Sequence, residues 1–178
     1  MGLSAVGTLL DTLRARFGAA LLDAHERLGD ETVVVARDHA LEPFRFLRDD
    51  PEMAFNFLTD LTAVDYLGKT PRFEVVAHLF SLPKRHRLRV KVPVDENDCW
   101  AHSLSPLWKN ANWLEREAFD MYGIRFAGHP DLRRILMYPE FEGYPLRKDY
   151  AHNRRQPLIP ERDPIENPWP PRRLGGTR

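Results

Sequence analysis

The segment Phe73–Val94, FEVVAHLFSLPKRHRLRVKVPV, carries the clearest signal for β-structure in this chain of 178 residues. Its first part, Phe73–Leu82, is rich in apolar and β-branched residues and predicts a strand. Its second part, Arg87–Val94, alternates apolar residues with basic ones, a pattern typical of a strand with one face in water. Because only a short turn at Pro83 separates the two parts, we predict an antiparallel hairpin rather than a helical crossover.

The sequence before this hairpin predicts two helices, two strands and a helical turn that Pro51 opens and that runs through Phe57 and Leu58. Regular spacing of leucine and phenylalanine indicates a helix from about Ser4 to Leu28. A β-branched strand follows at Glu31–Ala36, and we expect Asp38 to cap a second helix from about Ala40 to Leu47. The apolar segment Leu61–Leu67 predicts a short strand that pairs with the hairpin through another short turn.

The sequence after the hairpin predicts two more helices, at Ser103–Trp108 and at Asn110–Tyr122. Gly123 is placed to end the second helix in a left-handed conformation. The order of elements is helix, strand, helices, three strands, helices and tail. We therefore predict an α+β fold with two layers, in which helices lie mainly on one face of a mixed or antiparallel sheet.

The C-terminal part of the sequence differs in composition from the rest. Six of the 15 prolines lie between Pro157 and Pro171, and such a segment cannot form a packed core by itself. We expect residues 1–150 to form one α+β domain and residues 151–178 to form an extended, proline-rich tail that a partner orders. Trp169, an aromatic side chain within this coreless segment, indicates an anchor for a pocket of that partner.

The composition excludes several classes of protein. Basic and acidic residues both number 26, so no net charge favours nucleic acid or an anionic membrane. The single cysteine, Cys99, excludes an internal disulfide framework, and also an iron–sulfur cluster held by this chain alone, which needs about four such ligands. No apolar run approaches the roughly 20 residues of a membrane helix, and we find no secretory signal. We expect a soluble protein of a reducing, intracellular compartment that reaches a membrane only through partners.

The segment Glu115–Leu136, EREAFDMYGIRFAGHPDLRRIL, concentrates charge beside apolar residues. In a helix, Glu115 and Glu117 point in nearly opposite directions, so they cannot act on one substrate atom as an acid–base pair. Arg116 and Asp120 lie four residues apart and can pair. The favoured interpretation is that the carboxylates hold basic loops. The candidate basic residues are Arg133, Arg134 and Arg147.

Two further motifs follow that helix. His129, which precedes Pro130, could supply a metal ligand or a general base, but no other ligand stands at suitable spacing, so a hydrogen-bonded loop histidine is favoured. The segment 143–149, GYPLRKD, predicts a tight turn before the basic pair Arg147 and Lys148, which could bind phosphate. No glycine-rich phosphate loop or dinucleotide fingerprint accompanies it. We therefore favour a basic turn that docks on an acidic partner or on the helix glutamates.

Together these residues resemble the C-type (30-kDa) subunit of the proton-pumping NADH:quinone oxidoreductase, respiratory complex I. The family pattern begins with Glu-Arg-Glu and continues through an acid, two apolar residues, a His or Lys and a basic residue to two aliphatic residues. In that register this chain has Glu115, Arg116, Glu117, Asp120, Met121, Tyr122, His129, Arg133, Ile135 and Leu136. The downstream segment 143–149 is also similar to that of the family.

The resemblance implies a structural subunit of the peripheral arm without a redox centre of its own. FMN, iron–sulfur clusters, NADH and quinone would be bound by partner subunits. The implied partners are the quinone-site (D-type) subunit, along which the tail would run, and the cluster-bearing (B-type) subunit. The implied location is the cytoplasmic side of the cell inner membrane. No catalytic, cofactor-binding or metal-binding residue is implied for this chain. An interface or structural role is implied for Glu115, Arg116, Glu117, Asp120, Tyr122, Gly123, His129, Pro130, Arg133, Arg134, Gly143, Pro145, Arg147, Lys148 and Asp149.

Two alternatives stay open at this point. Related subunits occur in membrane-bound hydrogenases and in ferredoxin- or F420-linked dehydrogenases, and the sequence does not distinguish these assemblies. A more remote alternative is a free-standing acid–base enzyme that uses Glu115, Glu117 and His129. The quinone, the electron donor and the coupling ion are also left open.

Overall fold

The computed structural model describes residues 8–158, which form a five-stranded sheet, three α-helices and a small two-stranded sheet. The helices are α1 (Leu9–Phe17), α2 (Leu41–Asp49) and α3 (Ala111–Tyr122), with a short 3-10 helix at Arg37–His39. The strands are β1 (Leu21–Arg27), β2 (Asp30–Val35), β3 (Phe57–Asp65), β4 (Phe73–Ser81), β5 (His86–Val94), β6 (Trp100–His102) and β7 (Arg125–Ala127). Most of the predicted tail, including Trp169, lies outside the described residues.

The main sheet has the strand order β1-β2-β5-β4-β3. Strands β3, β4 and β5 form an antiparallel meander, and the register from Phe73↔Val94 to Ser81↔His86 confirms the predicted hairpin. β1 and β2 form a second antiparallel hairpin, and β2 joins the meander by parallel pairing with β5. The sheet is therefore mixed, and the predicted α+β class is confirmed.

One face of the sheet carries the core. Alternate side chains of β4 and β5 are almost fully buried there, because successive residues of a strand point to opposite faces. Phe44 and Leu47 of α2 belong to the same core, as does Trp108. On the other face, Lys91 Nζ pairs with Glu74 Oε2 at 3.0 Å, both side chains being partly exposed. Helix α3 lies against β3, the strand at the far edge of the sheet.

The predicted helix from Ser4 to Leu28 is wrong in its second half. Helix α1 ends at Phe17, with Gly18 as its C-cap, and the chain then enters β1. In this edge strand only Leu21 and Ala24 are half-buried, so its sequence lacks the alternation that identifies a strand. The segment is a strand because it pairs with β2, and this pairing cannot be read from the helical periodicity of the sequence.

Three smaller predictions are also corrected. Phe57 and Leu58 begin β3 and do not belong to a helical turn that Pro51 opens. The segment Ser103–Trp108 is a turn and not a helix, and two of its N–H groups donate to the carbonyl of Leu104. Asp38 lies in the 3-10 helix and does not cap α2, whose N-cap residue Ala40 makes no side-chain capping bond. The prediction for α3 is confirmed, including its end at Gly123, where φ is +77°.

A buried arginine joins the end of the sheet to the C-terminal segment. Arg72 is 3% exposed, and its guanidinium donates to the two carboxylate oxygens of Asp65 at 2.9 and 2.8 Å. The same guanidinium donates to Asp149 at 2.7 and 3.0 Å and also to Glu96. The hydrogen bonds from Arg72 lower the pKa of Asp65 and outweigh the opposing effect of burial. We refer to these four residues as the Arg72 cluster.

Arg72→Met should lower the free energy of unfolding by about 3–5 kcal/mol, because Asp65 would stay buried without its cation. Urea unfolding of the purified chain near neutral pH measures this loss. Lys84→Met is the matched control, since Lys84 and Glu52 form an exposed ion pair that contributes less than about 1 kcal/mol. Equal effects of the two substitutions would contradict a stabilising role for the Arg72 cluster.

Candidate functional site

Helix α3 fixes two loops through charged side chains. Glu115 accepts hydrogen bonds from the loop 103–105, whereas Arg116 and Asp120 bond to the loop 133–137. Glu115 and Asp120 are fully buried. An apolar stripe on one side of α3 packs inward and sets the rotation of the helix. Its buried members are Ala111, Ala118 and Met121.

The Asp120 carboxylate is bound by consecutive backbone N–H groups. Its Oδ2 accepts three hydrogen bonds of 2.8–3.0 Å. The donors are the N–H groups of Ile135, Leu136 and Met137. Its Oδ1 accepts from Arg134 Nη1 at 2.7 Å. Burial alone would raise the pKa of Asp120, but the hydrogen bonds, led by the one from Met137, outweigh burial and leave this pKa below its usual value. The charged carboxylate thus holds the loop in one conformation.

Arg116 does not pair with Asp120, although their spacing predicts it. Its Nε and Nη2 donate instead to the carbonyls of Arg133 and Arg134, each at 3.1 Å. Of the predicted basic partners, Arg134 pairs with a helix carboxylate, and Arg133 contributes its carbonyl while its side chain is 71% exposed. Arg147 contacts other groups. Arg116 and Asp120 therefore hold the same loop from two positions on α3.

The Glu115 carboxylate accepts hydrogen bonds from the Ser103 hydroxyl at 2.7 Å and from the Leu104 N–H. No lysine or arginine among residues 8–158 forms an ion pair with it, so the predicted basic loop for this residue is wrong. Burial raises the pKa of Glu115 to about 7, and the hydrogen bonds oppose that rise only in part. The serine-containing turn 103–105 is the structural partner of Glu115.

His129 lies beside Glu115 and fixes the loop after β7. Its Nε2 is 3.0 Å from the Asn112 carbonyl and 4.0 Å from Glu115 Oε2, and its side chain is fully buried. The N–H of Asp131 donates to Nδ1 at 3.0 Å. An imidazole that accepts at Nδ1 and donates at Nε2 is the neutral tautomer. Pro130, the next residue, is exposed.

Glu117 lies apart from Glu115 and His129. It is exposed, and its carboxylate forms no hydrogen bond or ion pair with any residue between 8 and 158. It contributes to a raised pKa of Tyr122, for which burial is the main cause and Asp65 a further one. The three residues of an acid–base enzyme are therefore not brought together, since two are buried and internally bonded and the third faces water.

The segment 143–149 docks on the end of α3 and not on the helix glutamates. The N–H of Leu146 donates to the Met121 carbonyl at 3.2 Å, and Arg147 Nε donates to the Tyr122 carbonyl at 2.6 Å. These bonds satisfy carbonyls that the last turn of a helix leaves without partners. The segment thus closes the C-terminus of α3.

Two side chains of this segment lock it in place. The Arg147 guanidinium lies 4.8 Å from the ring centroid of Tyr144, which packs over Gly123. A Cβ at Gly123 would lie 2.5 Å from that ring, so glycine is required here for space as well as for its positive φ. The N–H of Lys148 donates at 2.8 Å to Asp65, a member of the Arg72 cluster. Two further members of the predicted motif complete the turn. They are Gly143, with φ +93°, and Pro145, which is half-buried.

The sequence does not reveal the partners of these motifs. Ser103, Leu104 and Arg72 carry no local signal, because each meets its carboxylate only through the tertiary fold. Asp65 does carry a signal in the sequence, because a charged residue inside the predicted apolar strand Leu61–Leu67 needs a charged or hydrogen-bonding partner. Among residues 8–158, no group of three or more His, Cys, Asp or Glu side chains is placed to hold a metal ion. No helix in this part of the chain has the length and apolar character needed to cross a membrane.

Asp120→Ala should destabilise the isolated chain by about 3–5 kcal/mol, because four donors and the Arg134 charge would lose their acceptor. Thermal and urea unfolding measure the loss. Asp131→Ala is the control, since its ion pair with Arg133 is exposed and should contribute little. Unchanged stability of Asp120→Ala would show that the loop 133–137 does not depend on this carboxylate.

Glu115 should make stability depend on pH. The folded chain keeps a proton that the unfolded chain releases at its ordinary pKa of 4.5, so stability falls as pH rises from there to about 7. The loss amounts to about 3 kcal/mol for the difference between these pKa values. Glu115→Gln removes the titration, so this variant should gain stability relative to the natural chain between about pH 5 and about pH 8.

Urea unfolding at several pH values measures that gain, and Glu117→Gln is the matched control on the same helix. The difference in the free energy of unfolding between Glu117→Gln and the natural chain should not grow between about pH 5 and about pH 8. A gain of the same size for both variants would contradict the assignment of the effect to Glu115.

Comparison with known proteins identifies relatives over most of the chain. The family model described as "Respiratory-chain NADH dehydrogenase, 30 Kd subunit" matches residues 33–156. The C-type NADH-quinone oxidoreductase subunit of Citrifermentans bemidjiense is 52% identical over 155 residues, which cover 86% of this chain and 91% of the relative. The corresponding subunit of Roseiflexus sp. (strain RS-1) is 54% identical over 142 residues, which cover 80% and 82%.

Two solved structures share the fold. The trypsin-resistant fragment (1–134) of Nqo5 has a TM-score of 0.61 at 36% identity and covers 68% of this chain and 97% of the fragment. A chain of an archaeal membrane-bound sulfane sulfur reductase has a TM-score of 0.63 at 26% identity and covers 80% and 83%. The family match includes all the motif residues between 115 and 149. The chain therefore belongs to the family of the 30-kDa subunit of the respiratory-chain NADH dehydrogenase.

Proposed function

We propose that this chain is a non-catalytic structural subunit in the peripheral arm of an NADH:quinone oxidoreductase, which couples electron transfer from NADH to quinone with proton translocation. Relatives named as the C-type subunit of NADH-quinone oxidoreductase, about half identical to this chain, support the assembly. In this proposal FMN, the iron–sulfur clusters, NADH and quinone are bound by partner subunits. This chain holds those partners in position.

The observation that carries the structural role is that three of the four charged residues of α3 bond within the chain. Glu115 and Asp120 are fully buried, and their oxygens accept from the loops 103–105 and 133–137. A general acid or base must reach a proton of its substrate, and these two carboxylates reach only their own loops. The N–H groups of Arg116 are likewise used on backbone carbonyls. The arrangement braces the outer side of α3.

Exposed apolar side chains surround that braced helix. Trp113 is 68% exposed, Leu136 57% and Leu146 52%. Leu136 lies in the loop that Asp120 holds, and Leu146 in the segment that closes the end of α3. We call Trp113, Glu117, Leu136 and Leu146 the α3 outer face. Aromatic and aliphatic side chains on a rigid support are typical of a protein interface. We propose that this face contacts partner subunits, chiefly the quinone-site subunit, with the cluster-bearing subunit nearby.

The proposal extends to the tail and to the location of the protein. We propose that residues 1–150 form the domain and that residues 151–178 run along the quinone-site subunit. The beginning of this tail contacts the domain, since Arg154 pairs with Glu142 at 3.0 Å and Gln156 Nε2 donates to the Glu142 carbonyl at 3.2 Å. We also propose a location on the cytoplasmic side of the cell inner membrane, where the chain is attached through the complex.

The alternative assemblies are less well supported. An equivalent subunit of a membrane-bound hydrogenase or of a ferredoxin- or F420-linked dehydrogenase would have the same fold. The fold alone therefore does not distinguish these assemblies. The likeness to the sulfane sulfur reductase chain shows that this fold occurs in another respiratory membrane complex, but its identity is 26%. The relatives named for NADH-quinone oxidoreductase reach 47–54% identity, and this difference favours NADH:quinone oxidoreductase.

Purification of the tagged full-length chain from solubilised membranes tests the proposal. We expect mass spectrometry to identify the quinone-site and cluster-bearing subunits together with the NADH-binding flavoprotein subunits. Hydrogenase or ferredoxin-linked subunits in their place would favour the alternative assembly. NADH oxidation by the isolated chain would contradict the non-catalytic role. In the same experiment, a chain that lacks residues 159–178 should recover less of the quinone-site subunit, while its unfolding temperature stays unchanged.

A further inference from the structure

Glu117 is the charged residue of α3 for which the described chain supplies no partner. Glu115, Arg116 and Asp120 all bond to loops of this chain. Glu117 is exposed and accepts no hydrogen bond or salt bridge from residues 8–158. The adjacent cation, Arg116, directs its Nε and Nη2 at the carbonyls of the loop 133–137 and so does not neutralise Glu117.

Trp113 lies one helical turn before Glu117 and is also without a partner in the described chain. It is 68% exposed, and its indole N–H donates no hydrogen bond to any residue between 8 and 158. The two other tryptophans of this part of the chain differ in this respect. Trp108 Nε1 donates to the Phe55 carbonyl, and Trp100 Nε1 donates to Asp98, each at 3.2 Å. An indole left in water on a braced helix indicates a surface that another molecule covers.

The two side chains are placed to act together. Residues four apart on a helix lie on the same face, with Cβ atoms roughly 5–6 Å from each other. An indole face attracts a cation, and a carboxylate at this distance can pair with the same cation. A planar guanidinium satisfies both, because it stacks on a ring while its edge donates to a carboxylate. The rotation of α3 is already set by the loops, so little ordering is needed when the partner binds.

The chain uses the same chemistry at another position. The Arg37 guanidinium lies 4.4 Å from the ring centroid of Trp100, and its Nη2 pairs with Asp98 at 2.8 Å. Here a tryptophan and a carboxylate from one short segment hold an arginine from another segment. Trp113 and Glu117 offer the same two groups, and the described chain places no arginine between them.

We propose that Trp113 and Glu117 form a receptor for an arginine side chain of a partner protein chain. The inference rests on the proposed function, since it assumes that the α3 outer face is covered in the assembled complex. A partner chain that covers this face would also exclude water from the ion pair, which strengthens it. A lysine side chain fits less well, because its ammonium group is not planar and cannot stack on the indole while it pairs with the carboxylate.

The test uses the full-length tagged chain, assembled in its own cells and isolated with its partners. In Trp113→Ala and in Glu117→Gln, the rate at which the chain dissociates from the solubilised complex should rise about tenfold or more. The double variant should dissociate little faster than either single one, because both groups bind one side chain. Salt at about 0.5 M should speed dissociation of the natural chain more than that of Glu117→Gln.

Matched controls come from exposed residues on other elements. Leu82→Ala removes an exposed apolar side chain, and Glu26→Gln removes an exposed carboxylate. Both should dissociate like the natural chain. The isolated Trp113→Ala and Glu117→Gln variants should unfold at the natural temperature, since neither side chain is buried. If a variant does unfold early, Trp113→Phe and Glu117→Asp replace it in the same measurement.

The identity of the partner residue is tested by cross-linking. A photoreactive benzoylphenylalanine at position 113 should form a cross-link to a neighbouring chain, at a peptide that contains an arginine. Replacing that arginine by glutamate should weaken the complex, and Glu117→Arg in the same cells should restore it. A cross-linked peptide without arginine, or natural dissociation rates for both single variants, would overturn the receptor and leave the proposed function intact. Failure of the natural chain to bring down NADH:quinone oxidoreductase subunits would instead overturn the proposed function.

Discussion

The burial of two carboxylates on one helix is the constraint on which the rest of this structure depends. Transfer of a carboxylate out of water costs free energy unless other hydrogen-bond donors replace the water. Asp120 receives a guanidinium and three N–H groups, which outweigh burial and lower its pKa. Glu115 is also inaccessible to solvent but lies deeper in the protein, and it receives hydroxyl and N–H donors without a guanidinium, so burial dominates and its pKa rises to about 7. The deeper burial of Glu115 and the lack of a guanidinium beside it together decide the direction of its pKa shift.

The charged side chains of α3 stabilise the loops of this chain that lie beside the helix. The loops 103–105 and 133–137 have little regular structure, and each is held by a side chain of α3. Because Glu115, Arg116 and Asp120 bond within the chain, the exposed side of α3 has a defined shape in the isolated protein. A preformed surface loses less conformational entropy on association than a mobile one. In the function proposed above, the motif of the family supports an interface with partner subunits.

The sequence predicts the structural elements that depend on neighbouring residues along the chain. It does not predict the contacts between residues that are far apart in the sequence. The Phe73–Val94 hairpin and the end of α3 at Gly123 follow from strand alternation and glycine geometry, and both are found. The residues of β1 predict a helix instead, because an exposed edge strand needs few apolar residues. The bond between Glu115 and Ser103 and the burial of Arg72 leave no periodic trace. Such contacts are fixed by the tertiary fold. Helical spacing alone indicates Asp120 as the partner of Arg116, whereas Arg116 bonds to the carbonyls of Arg133 and Arg134.

The Arg72 cluster has a consequence for the order in which the protein folds during synthesis. Asp149 lies 77 positions after Arg72, so the meander of β3, β4 and β5 leaves the ribosome well before this carboxylate does. Until then, Arg72 has only Asp65 and Glu96 as partners. Because the long-range contact forms last, the domain closes only as the C-terminal tail begins to emerge. The Arg72 cluster is therefore completed only after all three strands of the meander have become available for pairing.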